Sequence, residues 1–218
     1  VMHSTGMSWE LIVVDDGSDD GSTTVIKELA NQDNIKCLLL AKNYGQTNAI
    51  QAGFDNAIGK YLVTLDSDLQ NDPKDIPVLL HKLIKEELDL VVGWRKNRKD
   101  NYFLRNLPSS IANKLIGNIT GVKLHDYGCS LKAYRADVLK EIRLYGEMHR
   151  FIPAWMATKI PASKISELVV THHPRIAGKS KYGISRTFRV FVDLISVYFF
   201  MRFFSRPGHF FGLIGLLL

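Results

Sequence analysis

A doubly wound α/β sheet is the fold class this sequence predicts, and three observations predict it. Short apolar runs alternate with amphipathic helical patterns along roughly the first ninety residues. The runs are apolar on both faces, as strands of a parallel sheet are. Acidic loops follow two of them, at strand carboxyl ends, where open α/β sheets bind ligands.

Leu11-Ile12-Val13-Val14 is the first such strand, wholly apolar and therefore expected to be buried on both faces. The loop Asp15 to Ser22 leads into a helix with Val25, Ile26, Leu29 and Ala30 on one face. A strand over 35–40 precedes a helix over about 46–58, where Ile50, Phe54, Ala57 and Ile58 recur at helical spacing and Gly59 stops the run. Tyr61–Leu65 is a strand ending at Asp66-Ser67-Asp68-Leu69-Gln70. Asp72 then caps a helix with Pro73 in its first position and Ile76, Leu79, Leu80, Leu83 and Ile84 facing inward. Leu88–Val92 is a fourth strand.

Beyond Gly93 the pattern changes. A basic stretch from Arg95 to Asp100 leads to a helix around Ser110–Ile119, the segment Asp126–Arg135 and a strand near Ile165–Thr171. After the loop His172–Gly183, Ile184–Phe204 reads as an amphipathic helix for a membrane interface, with a buried core helix as the competing assignment. Residues 208–218 are apolar but too short for a span, which needs about twenty residues, and read as the start of a transmembrane helix. The division expected is a catalytic domain over 1–183, juxtamembrane amphipathic helices over 184–207 and that start over 208–218.

With 218 residues, 46% of them hydrophobic, the chain can bury a full single-domain core. Two cysteines, Cys37 and Cys129, fit a reducing compartment without a disulfide framework, and Cys37 reads as a buried small hydrophobe. The net charge of +6 is uneven: from Lys164 to Arg206 there are eight Lys/Arg against two acids. Those cations alternate with long apolar stretches, which suits a membrane surface better than nucleic acid. Lys/Arg beside an apolar segment favours the cytoplasmic face. The chain begins without Met and stops inside an apolar run, the pattern expected of a piece of a longer protein.

Asp66, Asp68 and Gln70 place two carboxylates and an amide oxygen within five residues. Such a hard-oxygen set suits Mg²⁺ or Mn²⁺ holding a substrate diphosphate. Asp15 and Asp16 end a neighbouring strand and can converge on the same pocket, to hold a base or ribose; a plain turn is the competing reading there. There is no Gly-x-Gly-x-x-Gly and no P-loop, so neither a dinucleotide fingerprint nor a kinase-type phosphate cradle is indicated.

The ordered set Leu11-Ile-Val-Val-Asp-Asp-Gly-Ser-x-Asp-Gly-Ser22, Asn43-Tyr-Gly-Gln46, Ala52-Gly-Phe54 and Leu65-Asp-Ser-Asp-Leu-Gln-Asn-Asp-Pro73 resembles the family-2 glycosyltransferases of GT-A fold. Within them it is most similar to the polyprenyl-phosphate branch, which includes dolichyl-phosphate mannose synthase and undecaprenyl-phosphate sugar transferases. Asp126-Tyr-Gly-Cys-Ser-Leu-Lys-Ala-Tyr-Arg135 resembles the aminoarabinose-transferase subgroup, and Gly178-Lys-Ser-Lys-Tyr182 the acceptor loop. The resemblance implies a Rossmann-like, mostly parallel sheet, a nucleotide-sugar donor (UDP favoured over GDP) and a polyprenyl-phosphate acceptor. It also implies Asp15, Asp16 and Asn43 at the nucleoside, and Asp66, Asp68 and Gln70 at metal and diphosphate. Arg95, Arg105, Ser109, Lys132, Arg175, Ser180 and Lys181 gather at the lipid phosphate, with Asp66, Asp68 and Arg95 as catalytic candidates. Two departures stand out. The family opens with a strand ending in a Pro-x-Tyr-Asn-Glu type loop that Val1–Trp9 lacks, and Gly128-Cys129-Ser130-Leu131 replaces the Gly-Asp-Phe-Arg of dolichyl-type members.

The reaction expected is inverting displacement at the anomeric carbon by the lipid phosphate oxygen. A phosphate monoester is already largely dianionic at neutral pH, its second pKa being about 6, so a strong general base is unnecessary. A processive polysaccharide synthase is one alternative, although Arg150-Phe-Ile-Pro-Ala-Trp155 does not fit that group's Gln-x-x-Arg-Trp helix. A non-catalytic nucleotide-sugar-binding membrane scaffold is another. No nucleic-acid partner is indicated, since no recognition helix or stacking-aromatic module is evident. Homo-oligomerisation is left open.

Overall fold

Six strands carry the architecture in the computed structural model, which describes residues 1–96, 116–118, 120–174, 185–203 and 206–217. Strand β1 (Leu11–Asp15), helix α1 (Ser22–Leu29) and strand β2 (Ile35–Leu39) form a βαβ start, β1 and β2 pairing in parallel from Leu11↔Ile35 to Asp15↔Leu39. Helix α2 (Gln46–Asn56), strand β3 (Tyr61–Thr64), helix α3 (Ile76–Lys85) and strand β4 (Leu90–Trp94) follow. Strand β5 (Lys132–Arg135) and strand β6 (Ile165–Val169) complete a four-stranded sheet ordered β3-β5-β4-β6.

The pairing is mixed rather than mostly parallel. β4 and β6 are parallel, whereas β5 lies antiparallel between β3 and β4. The chain leaves β4 at its carboxyl end and re-enters the sheet from that same end, so β5 needs no crossover and must run the other way. Periodicity in a sequence carries no information about that direction.

Alternation along β4 supplies both faces of the sheet. Leu90 and Val92 join a cluster with Tyr134, Leu139, Ile152 and Met156, while Val91 joins Leu79, Leu83, Leu131 and Ala133 beneath α3. Leu79 and Leu83 are fully buried, as expected, but Ile84 is 39% exposed because it lies past the strip that touches the sheet. The start of α3 follows the sequence closely. Asp72 accepts from the Lys74 amide, and Pro73 opens a 3₁₀ turn that runs into the helix.

β1 departs from its expected burial. Leu11 is 46% exposed and Ile12 to Val14 are only half-buried. The edge of β1 away from β2, and the edge of β3 away from β5, pair with no described strand. Both strands line a cleft of about 3080 Å³, on which Ile50, Phe54 and Ala57 also abut. Ile58 lies beyond the end of α2 and is exposed; the turn there is held by Glu10, whose carboxylate accepts from the amides of Ile58 and Gly59 at 2.8 and 3.1 Å. Cys37 is only partly buried, with its thiol on the Ile26 carbonyl.

Short helices α4 (Ala136–Leu139) and α5 (Ile152–Met156) pack under the sheet. Helices α6 (Ser185–Phe203) and α7 (Pro207–Leu217) follow. Phe200 of α6 meets Tyr145 and Trp155 edge-on at 5.6 and 5.8 Å, and Val197 is buried, so α6 is docked on the main body. Phe199 and Phe203 meet Phe210 of α7 at 5.1 and 5.3 Å. Among the described residues no helix is long and apolar enough to cross a membrane, so the transmembrane start expected over 208–218 finds no support in α7.

Candidate active site

The first acidic loop is built around two carboxylates with different tasks. Asp15, the last residue of β1, is buried and accepts from the Ser18 amide at 3.0 Å and the Thr23 hydroxyl at 2.5 Å. Hydrogen bonds from Ser18 and Thr23 hold its carboxyl below the ordinary value. Asp16 reaches the other way and accepts from the amides of Tyr44 and Gly45 at 2.7 and 2.9 Å. It thereby fixes the start of α2 against the end of β1. Gly17 is required there: its φ is +69°, and a Cβ would stand 2.4 Å from the Lys42 carbonyl carbon. Asn43, from the same apposed loop, lines the cleft beside Asp16.

The second acidic loop leaves β3. Asp66 accepts from Gln46 Nε2 at 3.1 Å. Burial pushes its carboxyl up, Ser130 hydrogen bonding opposes that, and the neighbouring Asp68 charge adds to it; Lys132 and Arg95 pull it back down. Asp68 accepts from the Gln70 amide at 3.1 Å, with Leu69 between them at φ +60°. A left-handed leucine costs about 1–2 kcal/mol, a strain that the Asp68–Gln70 and Gln70–His173 hydrogen bonds hold in place. The Gln70 carbonyl accepts from the His173 amide, tying the turn to the end of the β6 loop.

Cations arrive from β4 and β5. Arg95 makes a two-pronged pair with Asp126, Nε to Oδ2 at 2.7 Å and NH2 to Oδ1 at 2.9 Å, both side chains nearly buried. Lys132, opposite Thr64 and Val92 in the sheet, is buried and donates to the Cys129 carbonyl. Burial favours its neutral form, while the charges of Asp126 and Asp66 oppose that.

Asp15, Asp16, Asn43, Asp66, Asp68, Gln70, Arg95 and Lys132 therefore line one cleft, with the strand ends at its floor. Arg105, Ser109, Arg175, Ser180 and Lys181 lie outside the described residues. Four residues around these carboxylates escaped the sequence reading: Thr23, Gln46, Asp126 and Ser130. Gln46 sits within the Asn43-Tyr-Gly-Gln motif and Asp126 opens a quoted segment, so the signal existed. What the sequence did not disclose is which partner each one meets.

Among the described residues no group of three His, Cys, Asp or Glu is gathered to hold a metal by itself. A Mg²⁺ or Mn²⁺ bound through one or two carboxylates and substrate phosphates needs no such cage. Asp66 and Asp68, two residues apart on the loop after β3 and both lining the cleft, fit that mode.

The cleft and sheet define a class: an α/β protein whose carboxylates gather at strand ends, as nucleotide-binding sheets arrange them. The profile of glycosyl transferase family 2 matches residues 1–143, and the chain belongs to that family. It is 60% identical over 210 residues to a dodecaprenyl-phosphate galacturonate synthase of Rhizobium johnstonii, covering 95% of this chain and 62% of the relative. It is 40% identical over 195 residues to an undecaprenyl-phosphate 4-deoxy-4-formamido-L-arabinose transferase of Shewanella sediminis, covering 88% and 58%. The chain thus spans about three fifths of these relatives' length. The glucosyl-3-phosphoglycerate synthase of Mycobacterium tuberculosis, solved with Mn²⁺, UDP-glucose and phosphoglyceric acid, superposes with a TM-score of 0.63 at 15% identity, covering 88% of this chain and 68% of that one. That likeness establishes a GT-A-type fold.

Proposed function

We propose that the protein transfers a sugar from a nucleotide-sugar, a UDP-sugar in the first instance, to a polyprenyl phosphate at a membrane surface. The observation that carries the reading is the meeting of both acidic loops and the Arg95–Asp126 and Lys132 cations in one cleft, in a chain similar to two polyprenyl-phosphate sugar enzymes. The sugar named for the 60%-identical relative is galacturonate, which makes a nucleotide uronate the leading donor.

In this mechanism Asp16 and Asn43 hold the nucleoside, with Asp15 keeping their loop in shape. Asp66 and Asp68, with Gln70 beside them, would hold Mg²⁺ or Mn²⁺, which supplies charge neutralisation for the departing diphosphate. A lipid phosphate oxygen attacks the anomeric carbon from the face opposite the diphosphate. The new C–O bond forms as the bond to the diphosphate oxygen breaks, the nucleoside diphosphate departs and configuration inverts. No proton has to be removed, because the attacking phosphate is already ionised. Arg95 offsets the repulsion between two anionic substrates, and catalysis is positioning plus charge stabilisation. The exposed Val192, Ile195 and Tyr198 of α6 and Phe211 of α7 support docking of this end on a bilayer, and the Lys/Arg beside them favour the cytoplasmic face.

Release of UDP from a UDP-sugar tests the reading. It should require both undecaprenyl phosphate and a divalent cation, and fall at least about a hundredfold in Asp68→Ala. UDP release that ignores the lipid phosphate would contradict it.

A further inference from the structure

We propose that Ser130 is a positioning residue for sugar transfer: its hydroxyl joins the two ends of the Asp66–Asn71 turn and so sets how Asp66 and Asp68 face a divalent cation. The proposal rests on the functional reading above and deepens it. Cys129 and Ser130 belong to the segment Gly128–Leu131, where the sequence departs from the dolichyl-type pattern. What stands there is a seat for Asn71.

Asn71 follows Gln70 directly and is buried, at 5% exposure. Its Oδ1 accepts from the Ser130 hydroxyl at 3.2 Å, and its Nδ2 donates to Cys129 Sγ at 3.6 Å. Continuing the β3–β5 register past Thr64↔Lys132 puts Asp66 opposite Ser130, and the Ser130 side chain hydrogen-bonds the Asp66 carboxylate. One hydroxyl therefore meets the residue that opens the turn and the residue that closes it. It has a single proton, given to one acceptor at a time, so it serves the turn whether or not a cation occupies Asp66.

The seat itself is fixed. The Thr64 hydroxyl donates to the Ser130 carbonyl at 2.6 Å, which ties Ser130 to the strand that carries Asp66. The Gly93 amide donates to the Leu131 carbonyl at 2.9 Å, which ties the segment to β4. Cys129 is fully buried against Gly93, where a Cβ would stand 3.0 Å from its Sγ and 2.8 Å from the Leu131 carbonyl oxygen. The turn, by contrast, is strained from within at Leu69, whose φ is +60°. Such a conformation persists only where its surroundings over-determine it. A metal held by one or two carboxylates depends on the shape so maintained. Gln46 on Asp66 and the His173 amide on Gln70 are further anchors, and each of those meets the turn at one point.

The test measures UDP binding to the full-length protein, without lipid acceptor, as Mn²⁺ is titrated. It compares wild type, Ser130→Ala, Ser130→Thr, Asn71→Ala and the Ser130→Ala/Asn71→Ala double variant, with a metal-free melting curve for each. Ser130→Ala should raise the Mn²⁺ concentration at half-saturation about three- to tenfold, the worth of one hydrogen bond. Ser130→Thr, which keeps the hydroxyl, should stay close to wild type. In the double variant the two effects should be less than additive, because both single changes remove the same bond. An unmoved Mn²⁺ midpoint in Ser130→Ala, even with a lower melting temperature, overturns the proposal and leaves the transfer reading standing. So does additivity, or a Ser130→Thr variant as impaired as Ser130→Ala. UDP binding indifferent to Mn²⁺ in wild type would reject both the proposal and the metal assigned to Asp66 and Asp68. A shifted midpoint in a protein that transfers nothing to lipid phosphate would uphold the role of Ser130 and reject the transfer reading instead.

Discussion

Asp15 and Asp66 both follow apolar strands at the same end of the molecule, yet their surroundings push them in opposite directions. Asp15 is held below its ordinary value of 3.8 by Ser18 and Thr23, whereas Asp66 is raised by burial. A carboxyl depressed by folding favours the folded state fully above its unfolded value, and that contribution is lost as pH falls through the folded one. Asp15→Asn should therefore make urea stability less steeply dependent on acid between about pH 5 and 3, measured as the shift in denaturation midpoint. An unchanged acid slope would mean the Ser18 and Thr23 bonds contribute nothing. Both aspartates were visible in the sequence as strand-end carboxylates. Their division of labour was not, because it depends on Thr23 arriving from the first turn of α1 and on Gln46 arriving from α2.

At the scale of elements, the junction of β4 and β5 is the most sensitive. Arg95 closes β4 and Asp126 precedes β5, and their two-pronged pair is nearly buried. Removing one partner of such a pair strands a charge and costs about 3–5 kcal/mol, whereas replacing both by apolar residues can be neutral. Asp126→Ala should accordingly lower stability by about that amount, and Arg95→Met with Asp126→Leu should recover most of it while leaving transfer abolished. A double variant that regains transfer would remove Arg95 from the mechanism. The helices α1, α2 and α3 were legible from periodicity to within a few residues, and Asp72-Pro73 marked the start of the third. The antiparallel sense of β5 was not legible, since period-two alternation looks the same in either direction. Nor was the exposure of β1, since an apolar run does not say which of its edges is paired.

For the molecule as a whole, the proposed function puts the nucleotide-sugar in the cleft lined by β1 and β3 and the lipid at the aromatic α6–α7 end. The side proposed for the nucleotide was written in local motifs, because the acidic residues of a strand-end loop lie within a few residues of one another. The side proposed for the acceptor draws on dispersed cations, and three of those expected, Arg105, Arg175 and Lys181, lie outside the described residues. The central claim is that Asp66 and Asp68 serve sugar transfer to a lipid phosphate. Its most direct measurement follows radiolabelled sugar from a UDP-sugar into the organic phase, with undecaprenyl phosphate and Mn²⁺ or Mg²⁺ in liposomes. Metal-dependent labelling from one donor, absent in Asp66→Ala and Asp68→Ala, is the result predicted. Labelling that survives in both variants, or nucleotide binding with no lipid labelling from any donor, would contradict it.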